Sequence, residues 1–238
     1  MNRRAGAVRR WAVIPAAGRG ERMGGGEPKQ YRTLLGRSVL EHALQPFLAH
    51  AGIQGIVVVL AAGDRVWPTL ACARDARIRT AEGGAERMVS VAHGLSVLER
   101  DAAPEDWVLV HDAARPCLRA GDLDRLVAEL DDDDVGGLLA IPIGDTLKRS
   151  DESNLRVAET LTRGGLWAAQ TPQMFRYGLM CRAFASCAQG NLAVTDEAAA
   201  IESLGLRPRL VTGSARNLKV TREDDLQLAE AILRESAA

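Results

Sequence analysis

The sequence is poor in aromatic residues, in long apolar runs and in net charge, and each shortage removes a class of function. Only 4% of the 238 residues are Phe, Trp or Tyr. That is too few for the stacking platforms that hold single-stranded nucleic acids. Lys and Arg number 30 against 31 Asp and Glu, for a net charge of −1. The chain therefore lacks the basic excess of a surface built for nucleic acid or anionic lipid, and neither is expected as a partner. No stretch approaches the roughly 18 consecutive apolar residues of a membrane span. The four cysteines, Cys72, Cys117, Cys181 and Cys187, form no Cys-x-x-Cys pair and have no His at zinc-ligand spacing. They read as reduced thiols of a cytoplasmic protein. Residues 1–10 carry Arg3, Arg4, Arg9 and Arg10 without the apolar core of a signal peptide behind them, and are read as a disordered basic tail.

Short apolar runs alternate with amphipathic stretches. Trp11–Pro15, Ile53–Leu60, Trp107–Val110 and Gly136–Ile141 read as strands, their apolar residues in continuous runs rather than at every second position, and Ile78–Ala81 as a short strand. Helical spacing marks Val39–Leu48, Val89–Leu98, Leu123–Leu130 and Glu197–Leu204, and Gly63–Ala73 despite Pro68. A strand near Arg209–Val211 and a helix from about Asp224 to Leu233, capped by Thr221 with Asp224, close the chain. Continuous apolar strands separated by helices belong to a sheet covered on both faces. The expected fold is α/β: a Rossmann-like three-layer α/β/α arrangement with a mainly parallel, mixed sheet. Ligands should bind at the carboxyl ends of its strands, so the loops after Pro15, Ala81, Val110 and Ile141 should share one rim. Residues 11–235 form one domain. Gly144–Leu166, polar and without a helical period, is read as a protruding β-arm that leaves the domain and returns at Trp167. The acidic run Asp131–Asp134 reads as a solvated loop.

The loop after the first strand carries chemistry. It runs Pro15-Ala16-Ala17-Gly18-Arg19-Gly20-Glu21-Arg22-Met23-Gly24 and continues to Pro28-Lys29-Gln30-Tyr31. Glycines let backbone N–H groups approach an anion, and Arg22 and Lys29 add two full charges. A phosphate chain is the natural guest. The loop is not a P-loop, because no Gly-Lys is followed by Ser or Thr, and Met23 occupies the third glycine position of a dinucleotide fingerprint. No Ser–His–Asp or Cys–His set suggests a covalent nucleophile, and His111 reads as structural.

This segment resembles the signature of nucleoside-triphosphate:sugar-phosphate nucleotidyltransferases, and most of all the 2-C-methyl-D-erythritol 4-phosphate cytidylyltransferase family. Gly83-Gly84-Ala85-Glu86-Arg87 with Ser90, His111-Asp112-Ala113-Ala114-Arg115-Pro116, Asp145-Thr146-Leu147-Lys148-Arg149, Gly165-Leu166-Trp167, Gln170-Thr171-Pro172-Gln173, Thr195-Asp196-Glu197 and Asn217-Leu218-Lys219-Val220-Thr221 follow in the same order. The resemblance implies transfer of CMP from CTP to a polyol phosphate, 2-C-methyl-D-erythritol 4-phosphate, with release of pyrophosphate. It implies Mg2+ carried mainly on the CTP phosphates, with no protein ligand assigned. Arg22 and Lys29 would stabilise the transition state, and Lys219 and Arg163 would position the acceptor phosphate. Ala16, Ala17, Gly18, Gly84, Ala85 and Ser90 would surround CTP, with Ala85 standing where family members often carry Asp. Asp112, Arg115, Thr146 and Thr171 would lie near the acceptor. A homodimer is expected, the arm of one subunit bringing Arg163 to the site of the other. A cytidylyltransferase for another polyol phosphate, such as ribitol 5-phosphate, and a non-catalytic nucleotide-binding relative are the alternatives.

Overall fold

The computed structural model describes residues 8–18, 27–151 and 155–237. Its strands are β1 (Arg10–Pro15), β2 (Thr33–Leu34), β3 (Arg37–Ser38), β4 (Ile53–Leu60), β5 (Ile78–Glu82), β6 (Trp107–Val110), β7 (Gly136–Pro142), β8 (Leu147–Asp151), β9 (Arg156–Leu161), β10 (Trp167–Arg176) and β11 (Arg209–Thr212). The helices are α1 (Val39–Ala49), α2 (Arg87–Val97), α3 (Ala120–Leu130), α4 (Tyr177–Gln189), α5 (Glu197–Glu202) and α6 (Glu223–Ala237). Seven strands form the central sheet in the order β11-β7-β10-β6-β1-β4-β5. Only β10 runs antiparallel to its neighbours. The expected α/β class and mainly parallel sheet are therefore present.

Alternate residues of each central strand feed opposite faces of the sheet. Ala12, Ile14, Ile56, Val58, Trp107 and Leu109 pack on one side with Leu40, Leu44, Phe47, Leu123 and Leu126 of α1 and α3. Val13, Val57, Val59, Val108 and Val110 pack on the other with Val91 and Leu95 of α2 and Met180, Ala183 and Phe184 of α4. Both sides bury apolar groups, which is why these strands read as unbroken apolar runs. Ser38 starts α1 with a reciprocal capping box, its hydroxyl accepting from Glu41 N–H while Glu41 accepts from Ser38 N–H.

Several local expectations are corrected. Gly63–Ala73 is not an α-helix but two 3-10 turns, Trp67–Thr69 and Ala71–Arg74. Pro68 brings no N–H, and the Asp64 carboxylate captures the N–H groups of Val66 and Trp67. The cap of α6 is Asp225, not Asp224: its carboxylate accepts from the Thr221 and Arg222 N–H groups and the Thr221 hydroxyl. The long strand β10 and the helix α4 had no expectation. Pro172, at a break in the β10 register, masks the strand, whereas Leu179, Met180, Ala183, Phe184 and Cys187 carry a helical period that marks α4. Arg9 and Arg10 are not tail. Arg10 begins β1, and Arg9 N–H and Nε donate to Asp106 at 3.0 and 3.1 Å. Residues 1–7 of the expected tail lie outside the described residues. Asp133 of the acidic run closes a turn, accepting from Val135 and Gly136 N–H. The arm is the two-stranded β8–β9 hairpin.

Gly136 is fixed by its surroundings. Its φ is +102°, and a Cβ there would stand 2.3 Å from the Met174 carbonyl oxygen in the neighbouring strand. Gly136→Ala should lower the unfolding free energy by about 2 kcal/mol or more. Gly144→Ala, where a Cβ meets nothing within 4 Å, should change it by less than about 0.5 kcal/mol. Urea denaturation of the two variants checks the contrast.

Candidate active site

The chain winds from β1 through β4 to β5 on one side of β1, then returns to β6 on the other. A crevice opens where the direction reverses, at the carboxyl ends of the strands. It has a volume of about 590 Å³ and is walled by the turns after β1, β4, β5 and β6. Those turns supply Ala16–Gly18, Ala61 and Ala62, Gly83–Arg87, and Asp112–Ala114, joined by Ser90, Lys29, Gln30 and Lys219. The loop after Ile141 does not join this rim; it leads into the arm.

Close backbone approach shapes one wall. A Cβ on Gly83 would lie 2.3 Å from the Ala17 methyl, and one on Gly84 would lie 2.2 Å from Val89 Cγ1. Ser90, buried, accepts from Gly84 N–H at 3.1 Å and donates to the Glu86 carbonyl. Opposite, Gln30 Nε2 donates to the Ala16 carbonyl at 2.7 Å, and the Tyr31 hydroxyl donates to Asp64 at 2.6 Å. These bonds hold the short turn that presents Lys29. Its ammonium donates to the Val220 carbonyl at 3.4 Å, so Lys29 and Lys219 converge from opposite ends of the sequence.

Asp112 is the centre of the charged groups. Its Oδ1 accepts from Arg87 Nε at 3.0 Å, and its Oδ2 lies 2.8 Å from Lys219 Nζ and 3.7 Å from Arg115 Nε. Burial by itself would raise the pKa of this carboxyl. Arg87, Lys219 and Arg115 outweigh burial and hold it well below the usual carboxylate range. Arg87 also binds the fully buried Glu197 with both terminal nitrogens, at 2.6 and 3.2 Å. Burial opposes the guanidinium charge, and the two carboxylates keep it firmly protonated.

His111 supports this centre from below. Its Nε2–H donates to the Arg115 carbonyl at 3.1 Å, which leaves Nδ1 to accept from the Thr171 hydroxyl at 2.9 Å. The Thr171 oxygen in turn accepts from Asp112 N–H at 3.0 Å. Both imidazole nitrogens are thus engaged in a ring wholly out of water, which suits a scaffold and not a general base. Burial pushes its pKa down to about 4.

Of the residues expected at a site, the structure brings together Ala16, Ala17, Gly18, Lys29, Gly84, Ala85, Ser90, Asp112 and Lys219. Arg115 and Thr171 lie beneath the pocket, bonded to Asn217 O, His111 and Asp112. Thr146 and Arg163 sit exposed on the arm and do not line the pocket of their own chain. Arg22 lies outside the described residues. Arg87 and its partner Glu197 carried no expected role. Their signal was one of charge, an Arg and a Glu inside two of the ordered motifs, but only folding makes them a pair.

Known proteins share this sequence pattern and this fold. The family model described as IspD, 2-C-methyl-D-erythritol 4-phosphate cytidylyltransferase, matches residues 11–235. The chain belongs to that family. A cytidylyltransferase of this name from Pseudomonas putida (strain W619) is 56% identical over 218 residues, 91% of this chain and 92% of its own. The Francisella tularensis IspD crystal structure is 35% identical, with a TM-score of 0.83 over 94% of this chain and 99% of that one. A crystal structure of a 4-diphosphocytidyl-2C-methyl-D-erythritol synthase is 38% identical, also with a TM-score of 0.83, over 95% and 99%. IspD membership accounts for the ordered motifs and for the position of the crevice.

The buried imidazole gives this IspD chain a pH signature. The folded pKa of His111 is about 4, below the 6.5 of an ordinary imidazole. A group depressed in this way favours the folded state while neutral, and its contribution is lost as pH falls from 6.5 towards 4. The loss should amount to about 3 kcal/mol. In urea unfolding at pH 7 and pH 5, His111→Gln should show a smaller drop in stability between the two than the wild-type protein does.

Proposed function

We propose that this crevice holds CTP and the acceptor with their reacting phosphates between Lys29 and Lys219, with the base against the Gly83–Ser90 loop. The protein is a 2-C-methyl-D-erythritol 4-phosphate cytidylyltransferase. It transfers CMP from CTP to the acceptor phosphate, forming 4-diphosphocytidyl-2-C-methyl-D-erythritol and pyrophosphate. The observation that carries the assignment of roles is the meeting of Lys29 and Lys219 in the wall of one crevice that the backbone of the turns after β1 and β5 also lines.

An oxygen of the acceptor phosphate attacks the α-phosphorus of CTP in line, and pyrophosphate leaves. Two anions must approach, and negative charge gathers on the α-phosphoryl oxygens. Positioning and electrostatic stabilisation are the work required, with little proton transfer. Lys29 serves the α-phosphoryl charge, with Arg22 as its partner on the strength of the sequence resemblance. Lys219, steadied by Asp112, serves the acceptor phosphate. Backbone groups of Ala16, Ala17, Gly18, Gly84 and Ala85 lie where the edge of a pyrimidine can be read, and Ser90 holds that loop in shape. Asp112 is taken up by Arg87 and Lys219, which fits a Mg2+ ion borne by the triphosphate and not by a cage of side chains. The ion would supply further neutralisation of the phosphate charge.

We also propose that the active unit is a homodimer. Arg163 and Thr146 stand on an arm most of whose described residues are exposed, with Leu155 at 85% and Val157 at 63% exposure. Apolar side chains on a two-stranded hairpin favour a second copy around a two-fold axis. The arm of one subunit would then bring Arg163 and Thr146 to the acceptor end of the other. Cytoplasmic location is the reading supported by four free thiols. Among the described residues, no helix is long and apolar enough to cross a membrane.

Pyrophosphate release from CTP with 2-C-methyl-D-erythritol 4-phosphate, and not with ribitol 5-phosphate, is the expected assay result; equal rates would make the acceptor assignment wrong. Lys29→Ala should keep its fold and lose about 10²–10³ in turnover. Arg163→Ala should be similarly impaired. When the two inactive proteins exchange subunits, each hybrid has one intact site, and roughly a quarter of wild-type activity should return. Exchange verified by native mass spectrometry without recovered activity would mean that each arm serves its own subunit.

A further inference from the structure

Lys219 owes its place to Asp112, and Asp112 is held from the far side by a pair that no step of the reaction uses. Glu197, at the start of α5, is fully buried. Its helix is locked to the sheet by Gln173, whose amide donates to Asp196 at 2.9 Å and whose carbonyl accepts from Ala198 N–H at 2.8 Å. Glu197 therefore presents its carboxylate from a rigid base. Arg87 spends both terminal nitrogens on Glu197 and its Nε on Asp112. A planar guanidinium with three donors committed to two fixed carboxylates has little freedom left. The line of charges Glu197–Arg87–Asp112–Lys219 crosses the crevice from α5 to the segment before α6 and alternates in sign throughout.

We propose that Arg87 is a positioning residue: clamped by Glu197, it fixes one oxygen of Asp112 so that the other orients the Lys219 ammonium towards the acceptor phosphate. Without Arg87, Asp112 would turn its whole charge on Lys219 and Arg115, and the lysine would be drawn to the carboxylate instead of the phosphate. The charged and titratable groups around Asp112 are Arg87 from α2, Lys219 from the segment before α6, Arg115 from its own loop, the neutral ring of His111 beside it and, beyond Arg87, the carboxylate of Glu197 from α5. The inference rests on the acceptor role assigned to Lys219. Lys219→Ala, with its loss falling on kcat/KM for the acceptor and CTP binding kept within about threefold, tests that assignment separately.

Two variants decide it. Arg87→Met with Glu197→Met removes the buried Arg–Glu pair and leaves Asp112 with Lys219 and Arg115 as its cations, at some cost in stability. Arg87→Lys keeps a positive charge beside Glu197 but cannot bind both carboxylates as Arg does. Each folded variant should lose about 10- to 100-fold in kcat/KM for the acceptor, as expected of a displaced reacting group. In the double variant the loss should fall on the acceptor, with the Kd for CTP within about threefold of wild type, because Lys219 is displaced while the Gly84 turn keeps its bond to Ser90. A folded double variant with kcat/KM within about threefold of wild type, or with CTP binding weakened as much as kcat/KM, overturns the proposal. Should the double variant not fold, Arg87→Lys decides on kcat/KM by the same threefold margin. Loss of the fold in both overturns it as well, because the pair would then be needed for structure alone.

Discussion

A carboxylate taken out of water must find cations or give up its charge, and Asp112 has found three. Much of the crevice depends on that balance. The cations come from α2, from the segment before α6 and from the turn after β6, so ion pairing around one carboxylate draws three separate parts of the chain to one point. Breaking a buried arrangement of this kind by removing one partner typically costs about 3–5 kcal/mol. Asp112 consumes only part of the positive charge around it. Lys29 and the outward side of Lys219 keep the crevice attractive to anions, which is what a triphosphate and a phosphorylated acceptor require.

The sheet makes this precision possible. Parallel strands of an open α/β sheet end on a common edge, and their turns share one crevice at the reversal beside β1. Three points on these turns are tied down individually. Gln30 holds the Ala16 carbonyl, Ser90 closes the Gly84 turn, and Thr171 links Asp112 to His111. Burial keeps His111 neutral and so avoids adding a positive charge next to Arg115. A pocket built from such braced backbone needs few ordering changes to bind its ligand.

What could be read in advance divides by the range of the forces involved. Val57–Val59 and Trp107–Val110 announced buried strands because both faces of each are apolar, a property of the residues themselves. The Lys29 turn and the glycines at positions 83 and 84 were legible because phosphate binding and close backbone approach demand particular residue types at close spacing. Gly63–Ala73 misled because the Asp64 side chain outcompetes the helix for its first N–H groups. Strand β10 was hidden because Pro172 contradicts the ordinary composition of a central strand, and the register break around it is set by its neighbours.

The sequence by itself determined the class of fold, the ordered motifs of its family and the kinds of side chain available for phosphate chemistry, since these follow from composition and spacing along the chain. Only the tertiary structure decided which charges meet. Arg87 and Glu197 are 110 residues apart, and Lys29 and Val220 are 191 apart. Tertiary structure also separated the residues that line the crevice from those beneath it and those exposed on the arm. Pairing across such separations depends on how helices and strands pack, because an ion pair or a buried hydrogen bond is set by distance in space and carries no mark in the local sequence.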